Sequence, residues 1–408
     1  MRRIPSKSVR SGFLISLCVL CAYAVNIPAQ DFKTLKDGIE YAEVAREING
    51  KPVNLNLLRL DLKKVRLDVH HAMDAAIGTE KTSSIAARHG AFAAINGGFF
   101  RLDTSIFAGD AAGVLMVDGE LLSEGSNNRA ILRIDNEQKA TKAAIEHLDV
   151  KSWFGLNHSA FFGPIDGVNR ERKTAEAVAY TLSFGKTTLS KPGGVEILIS
   201  CTEWRTDLLP TSLCRATTLA HDGDHIIPDN GFVISLSPET FTRKESILAG
   251  LNFYRKQSSN RRYFYLRAEV LLNGNRVAYD ANTDMVAGVP QLIKNGKIDI
   301  TWEREKASKS FVETRHPRTA VAKLKDGKFL MITVDGRSEA SAGIDLYDLA
   351  KLLLELGATD AMNLDGGGST TMFVDGRVVN KPSDKEGERK VSDMILVTLR
   401  DRGHRYMH

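Results

Sequence analysis

The sequence predicts an α+β fold, rich in strands, with mixed and antiparallel sheets and a few flanking helices. Three observations carry this. Asn-Gly and Asp-Gly pairs recur between short apolar runs, only two segments have helical spacing, and two helix-then-strand units of similar sequence each end at a glycine pair. The turn pairs are Asn49-Gly50, Asp118-Gly119, Asn273-Gly274, Asn295-Gly296, Asp326-Gly327 and Asp375-Gly376. Both residues of such a pair tolerate the positive φ that a type I′ hairpin requires. The clearest hairpin runs from Thr319 through Asp326-Gly327 to Val334.

The predicted helices are Ser83 to His89 and Leu346 to Leu356. In the second, Leu346, Leu349, Ala350 and Leu353 make one apolar stripe, Asp345 suits the N-cap and Gly357 the C′ position. Each helix runs into Gly-Ala and then a strand. Gly90 to Asn96 aligns without a gap on Gly357 to Asn363, which puts Asn96 and Asn363 in equivalent places. This pattern predicts two related halves facing one cleft. The stretch from about 135 to 270 is less regular and elaborates the core, with Lys191-Pro192-Gly193-Gly194 and Pro238-Glu239-Thr240 marking loops. Residues 25–90 supply lead-in strands and a helix that pack on a main domain over 91–400.

A chain of 408 residues, 43% hydrophobic and 26% charged, can bury a large core. Its net charge of +5 is partly owed to Arg2, Arg3, Lys7 and Arg10. No stretch crowds Lys and Arg with stacking aromatics, so nucleic acid is not an expected partner. The basic residues precede an apolar run from Gly12 to Val25 and the small-x-small Ala22-Tyr23-Ala24. That is a signal-peptide pattern over residues 1–24 and predicts export to the periplasm or outside the cell. A lipid anchor at Cys21 is disfavoured, since Leu20 stands where a small residue is expected. No later segment is long and apolar enough to span a membrane. Loss of the leader leaves Cys201 and Cys214, either bridged or as two buried thiols.

Three groups could carry chemistry. In Asn363-Leu364-Asp365-Gly366-Gly367-Gly368-Ser369, period-two alternation puts Asn363 and Asp365 on one face and Met362 and Leu364 on the other. The three glycines let backbone approach a ligand, and no Gly-Lys-Ser/Thr follows to make a nucleotide loop. Arg318 opens one arm of the clearest hairpin, and Asp335-Gly336-Arg337 closes the other; a guanidinium can hold a phosphodiester by two parallel hydrogen bonds. Asn96, before Gly97-Gly98-Phe99-Phe100, offers an amide suited to sugar hydroxyls. His316 beside Pro317-Arg318 is a candidate for proton transfer. His221-Asp222-Gly223-Asp224-His225 reads as a turn tip rather than a metal site.

These residues resemble the phosphodiester glycosidases, the family of the uncovering enzyme, from about Ala91 to Val397. The resemblance rests on Ala94 to Phe100, Asn169-Arg170, Tyr180 to Thr188, Arg318-Thr319-Ala320, Asp335-Gly336-Arg337, Asn363 to Thr370, and Asn380 to Ser383 with Arg389. It implies removal of a sugar from a sugar-phosphate diester or phosphate-bearing polysaccharide of envelope or extracellular glycans. The roles expected from residue chemistry are these. Asp365 acts on the anomeric carbon as nucleophile or base, and Asp335 is the second carboxylate. Arg318 and Arg337 hold the phosphate, Asn96 and Asn363 hold sugar hydroxyls, and Gly366, Gly367, Gly368 and Ser369 form the cradle. No cofactor is fixed by these residues; a divalent cation, Ca2+ or Mg2+, could bind the oxygens of Asp335. The rival readings are a metal-dependent phosphodiesterase and a non-catalytic binder of anionic glycans.

Overall fold

Val321, Met331 and Met362 point to one side of a sheet while their neighbours Ala320, Ile332 and Ala361 point to the other. That alternation organises the centre of the molecule, because each side buries a different layer. In this computed structural model, residues 31–125, 128–156, 160–202, 214–243 and 264–400 are described. The expected leader and Cys21 lie outside them.

The central sheet has eight strands in the order Lys33–Lys36, Ile39–Ile48, Lys51–Leu60, Phe329–Val334, Arg318–Leu324, Ala358–Asn363, Gln291–Lys294, Lys297–Ile298. One face is covered by the helix Leu346–Glu355, whose stripe of Leu346, Leu349, Ala350 and Leu353 packs on Ala320, Ile332 and Ala361. Asp345 caps this helix by accepting from the Asp348 N–H at 2.9 Å, and Gly357 follows with φ +89°. The other face meets a five-stranded sheet ordered Arg377–Val378, Met372–Val374, Ala93–Asn96, Asp393–Leu399, Val65–His71. Ile95, Val69 and Ile395 share one core with Val321 and Met362.

Residues 31–90 are woven into both sheets. Lys51–Leu60 pairs with Phe329–Val334, and Val65–His71 with Asp393–Leu399. A further five-stranded sheet includes Ile131–Asn136 and Thr283–Ala287, and a nine-stranded sheet is drawn from residues between Asp149 and Arg276. The named strand pairs are antiparallel apart from Gly167–Val168 with Ala177–Thr181. Of the described residues 48% lie in strands and 10% in helices, which makes the fold strand-rich α+β. Cys201 and Cys214 face each other across two strands of the large sheet and form a disulfide.

Two local expectations need correction. Five of the six turn pairs have both residues at positive φ, but at Asp326-Gly327 only the glycine does, φ +83°. There Gly327 N–H bonds Leu324 O and Leu324 N–H bonds Lys328 O, the pattern of a longer hairpin loop closed by a left-handed glycine. Pro238 to Thr240, expected as a loop, begins the short helix Pro238–Arg243, because Ser237 accepts from the Thr240 N–H and proline suits the first helical position.

Candidate active site

Asp365 follows the end of the central strand Ala358–Asn363 and is partly exposed. Met362 and Leu364 are buried in the shared core, so the alternation leaves Asn363 and Asp365 on the other side. The Asp365 N–H donates to Gly97 O at 3.0 Å, and Gly97 N–H in turn donates to Asp393 O at 2.9 Å. Gly97 thus couples two carboxylate-bearing segments. A β-carbon there would lie 2.1 Å from Asp393 Oδ1, so only glycine fits. Asp393 is fully buried, and its Oδ1 accepts from the Gly98 N–H at 2.6 Å.

Loss of solvent pushes the Asp365 carboxyl up to about 6, and the charge of Asp393 adds to this. The Ser369 hydroxyl, the Gly366 N–H and the more distant Arg389 oppose the rise. Burial raises Asp393 as well. A carboxyl poised near neutrality at a partly open position is suited to base or nucleophile chemistry.

The glycine turn rests on the segment before Arg318. Gly367 N–H donates to Pro317 O at 2.9 Å, and a β-carbon on Gly366 would meet that oxygen at 2.8 Å. A β-carbon on Gly367 would lie 2.9 Å from Arg337 Nη2, and one on Gly368 would lie 2.2 Å from Arg389 Nη2. Two guanidinium groups therefore flank the turn. Arg389 makes a two-pronged pair with Asp384, Nε to Oδ2 at 2.7 Å and Nη2 to Oδ1 at 3.1 Å. Arg337, with its side chain 44% exposed, touches this group only loosely, at 3.3 Å to Ser383 Oγ and 4.0 Å to Asp384 Oδ1. Its charge is consequently available to an incoming anion. Arg337 also holds φ +59°, an uncommon backbone state for a long side chain.

Several expected contacts are consumed inside the protein. Asn96, fully buried, accepts at Oδ1 from Thr319 Oγ1 and the Thr371 N–H, and donates from Nδ2 to Asp365 O. It ties three segments together and does not face open space, which corrects its expected role as a sugar contact. Asn363 is equally buried and donates to the Val289 and Leu364 carbonyls, both at 2.7 Å. Arg318, 1% exposed, donates to the carbonyls of Ile344, Phe311 and Thr314 and stacks on Phe311. It is a packed framework cation, and desolvation lowers its pKa to about 10. Ser369 is buried against Asp365 and Gly368 is buried behind the turn, so neither faces solvent. Asp335 accepts from Lys381 N–H and Asn380 Nδ2, anchoring the following loop, and burial raises its pKa.

His316 is half-buried, and desolvation together with the charges of Arg318 and Arg337 holds its pKa below the ordinary value. Burial and the two arginine charges therefore both favour its neutral form. His225 pairs with the buried Glu196 at 2.7 Å, and His221 lies on an exposed bend.

The sequence reading missed Asp393 and Arg129 altogether, and it placed Arg389 only among the residues of resemblance. Asp393 carried one signal: a charged residue opening the otherwise apolar run Met394 to Val397. Arg129 lies over Phe99, whose ring meets Phe311 edge-on at 5.9 Å, which links Arg129 to Arg318 through two aromatic rings. Arg129 also lines a cavity of about 310 Å3 with Val114, Ile131, Leu148, Val150 and Ala287. The Ala287 carbonyl is next to Gly98, 2.7 Å from where its β-carbon would be.

Comparison with known proteins bears on this constellation directly. Residues 222–398 match the phosphodiester glycosidase family. The phosphodiester glycosidase match takes in His316, Arg318, Asp335, Arg337, Asp365 to Ser369, Arg389 and Asp393, while Asn96 lies ahead of it. N-acetylglucosamine-1-phosphodiester alpha-N-acetylglucosaminidase of Bos taurus is 37% identical over 128 residues, 28% of this chain and 24% of its own length. The SPbeta prophage-derived uncharacterized protein YomE of Bacillus subtilis (strain 168) is 42% identical over 90 residues, 22% of this chain and 14% of its own. The chain thus spans a quarter or less of these two relatives. A solved structure from Burkholderia pseudomallei K96243, named as a candidate exported protein, shares the fold. It has a TM-score of 0.67 at 21% identity, covering 85% of this chain and 74% of that one. No helix among the described residues is long and apolar enough to cross a membrane.

Proposed function

We propose that this chain is an exported glycosidase that hydrolyses the bond between the anomeric carbon of a sugar and a phosphodiester, in envelope or extracellular glycans. The observation that carries the reading is Asp365: a partly exposed residue whose carboxyl is desolvated and pushed up to about 6, at a three-glycine turn flanked by Arg337 and Arg389. The match to phosphodiester glycosidases over the residues that build this site supports it.

The leaving group of such a substrate is a phosphate monoester, which departs far more readily than a sugar alkoxide. The demand on the protein shifts from protonating oxygen to holding the anion. Arg337 binds the phosphate and stabilises the charge gathered as the bond breaks, and His316, whose pKa the charge of Arg337 helps depress, is the candidate for proton transfer. Asp365, when ionised, attacks the anomeric carbon or activates the water that does. Burial sets the Asp365 pKa close to the working pH, and the charge of Asp393 adds a smaller push in the same direction. The two glycine-ended strands, Ala93–Asn96 and Ala358–Asn363, are read as related halves whose ends meet where the Asp365 N–H donates to Gly97 O.

Hydrolysis of a defined sugar-1-phosphodiester in oxygen-18 water tests this. Label in the sugar product is the expected outcome. Label in the phosphate would mean phosphorus–oxygen cleavage and a phosphodiesterase instead.

A further inference from the structure

His70 and His71 are consecutive in the strand Val65–His71, so their side chains leave it on opposite faces. His71 is buried, bonded to the carbonyls of Ala72 and Gly109. His70 instead stacks on His89, the residue that caps the C-terminus of the helix Thr82–Arg88, with ring centroids 3.9 Å apart. Between them in sequence, Met73 and Asp74 both adopt left-handed backbone, φ +61° and +51°. The Asp74 carboxylate lies close to both rings. Its Oδ1 is 3.0 Å from His89 Nε2 and 4.0 Å from His70 Nδ1, and one ligand atom from each of the three residues lies within 4.8 Å of the other two.

The hydrogen bonding at this point is internally inconsistent. His89 Nε2 lies 3.0 Å from an acceptor, Asp74 Oδ1, and 3.0 Å from a donor, Arg88 Nη1. One ring nitrogen cannot donate to the first and accept from the second at the same time. A cation standing where Arg88 Nη1 stands would face lone pairs of His89 Nε2 and of the Asp74 carboxylate, with which that nitrogen is paired. Arg88 has somewhere else to go, since its Nη2 already donates to Glu80 Oε2 at 3.0 Å.

We propose that His70, Asp74 and His89 form a binding site for one divalent transition-metal ion, with Arg88 as the competing cation that the metal displaces. Zinc bonds to imidazole nitrogen and carboxylate oxygen at about 2.0–2.2 Å, which sets ligand atoms about 3.3–3.6 Å apart in a tetrahedron. The observed spacings reach this by small side-chain rotations. Two nitrogens and one oxygen select Zn2+, Co2+ or Ni2+ over Ca2+ or Mg2+. The side chains are 24%, 52% and 25% exposed for His70, Asp74 and His89, so water reaches the fourth position. Among the described residues this is the one group of three or more such side chains, and it differs in place and chemistry from a calcium or magnesium site at Asp335. A bound ion would pin the end of the strand Val65–His71 to the helix that leads into Ala93–Asn96.

The test is calorimetric titration of the untagged, chelator-treated full chain with zinc chloride, together with melting temperature with and without zinc. No substrate enters the readout, so the result is independent of the glycosidase reading. One ion should bind with a dissociation constant in the micromolar range or below and raise the melting temperature. His89→Ala should weaken binding about a hundredfold and abolish the thermal shift, whereas Arg88→Gln should tighten binding about tenfold by removing the competing charge. Should His89→Ala fail to fold by circular dichroism, Arg88→Gln decides alone. Absence of binding at about 100 µM zinc, or affinity unchanged in Arg88→Gln, overturns the assignment.

Discussion

Asn96 donates from its side-chain nitrogen to the main-chain oxygen of Asp365 at 2.8 Å, across 269 residues of sequence. The same amide oxygen accepts from Thr319 Oγ1 at 2.7 Å and from the Thr371 N–H at 3.1 Å. One buried side chain therefore sets the position of the proposed catalytic carboxylate. Asn96→Ala should destabilise the fold by about 2–4 kcal/mol, because it leaves buried partners unsatisfied. It should also lower kcat more than it changes KM. A large rise in KM with kcat intact would restore Asn96 as a sugar contact.

Asp365→Asn should cut kcat at least about a thousandfold. Folding raises this carboxyl from 3.8 to about 6, so the folded state holds the proton more tightly than the unfolded state. The resulting stabilisation is full below about pH 4 and disappears as the pH climbs through about 6. Asparagine removes that loss, and the variant should therefore be more stable than the parent at pH 7, by on the order of 2 kcal/mol, but not at pH 4. Denaturant melts at the two pH values check this, and equal differences at both would contradict it.

In the parent, kcat/KM should rise with pH on an acid limb of apparent pKa about 6, reporting ionisation of Asp365. Asp393 raises that value through its charge. Asp393→Asn keeps an oxygen for the Gly98 N–H and should move the limb to lower pH. An unmoved limb would remove Asp393 from the electrostatics of the site.

The two arginines should separate cleanly. Arg337→Ala should lower kcat/KM about a hundredfold with little change in stability, and Arg337→Lys should recover part of the loss by restoring charge without the planar fork. Arg318→Ala should instead cost about 2–4 kcal/mol of stability, because three carbonyls lose their donor. The reverse pattern would reassign the phosphate to Arg318.

Gly367 holds φ +61°, and a β-carbon there would approach Arg337 Nη2 at 2.9 Å. Gly367→Ala should destabilise by about 1 kcal/mol and raise KM by displacing Arg337. Full affinity in a folded variant would show that the guanidinium position is immaterial.

Local rules read much of this molecule from sequence. Asp345 as a cap, the stripe from Leu346 to Leu353 and the burial of Met362 and Leu364 opposite Asn363 and Asp365 depend on neighbours only a few residues away. What was illegible depends on distant partners. Asn96 and Asp365 both resemble ligand-facing polar residues at a glycine turn, and only the convergence of Thr319, Thr371 and Asp365 shows that the amide is already occupied. Arg318 was indistinguishable from Arg337, since nothing in sequence announces that Ile344, Phe311 and Thr314 enclose one of them. Asp393 reads as the polar start of an apolar strand until Gly97 and Gly98 are seen lying on it.

The strand Val65–His71 finds its partner in Asp393–Leu399, and Lys51–Leu60 finds one in Phe329–Val334. A chain made from its N-terminus holds Lys51–Leu60 with one open edge until Phe329–Val334 has emerged, and Val65–His71 until Asp393–Leu399 has. The carboxylate beneath Gly98 arrives with Asp393–Leu399. The proposed carboxylate pair can thus assemble only once that strand is made, and a chain truncated before Asp393 would lack both the partner of Val65–His71 and the carboxylate at Gly98.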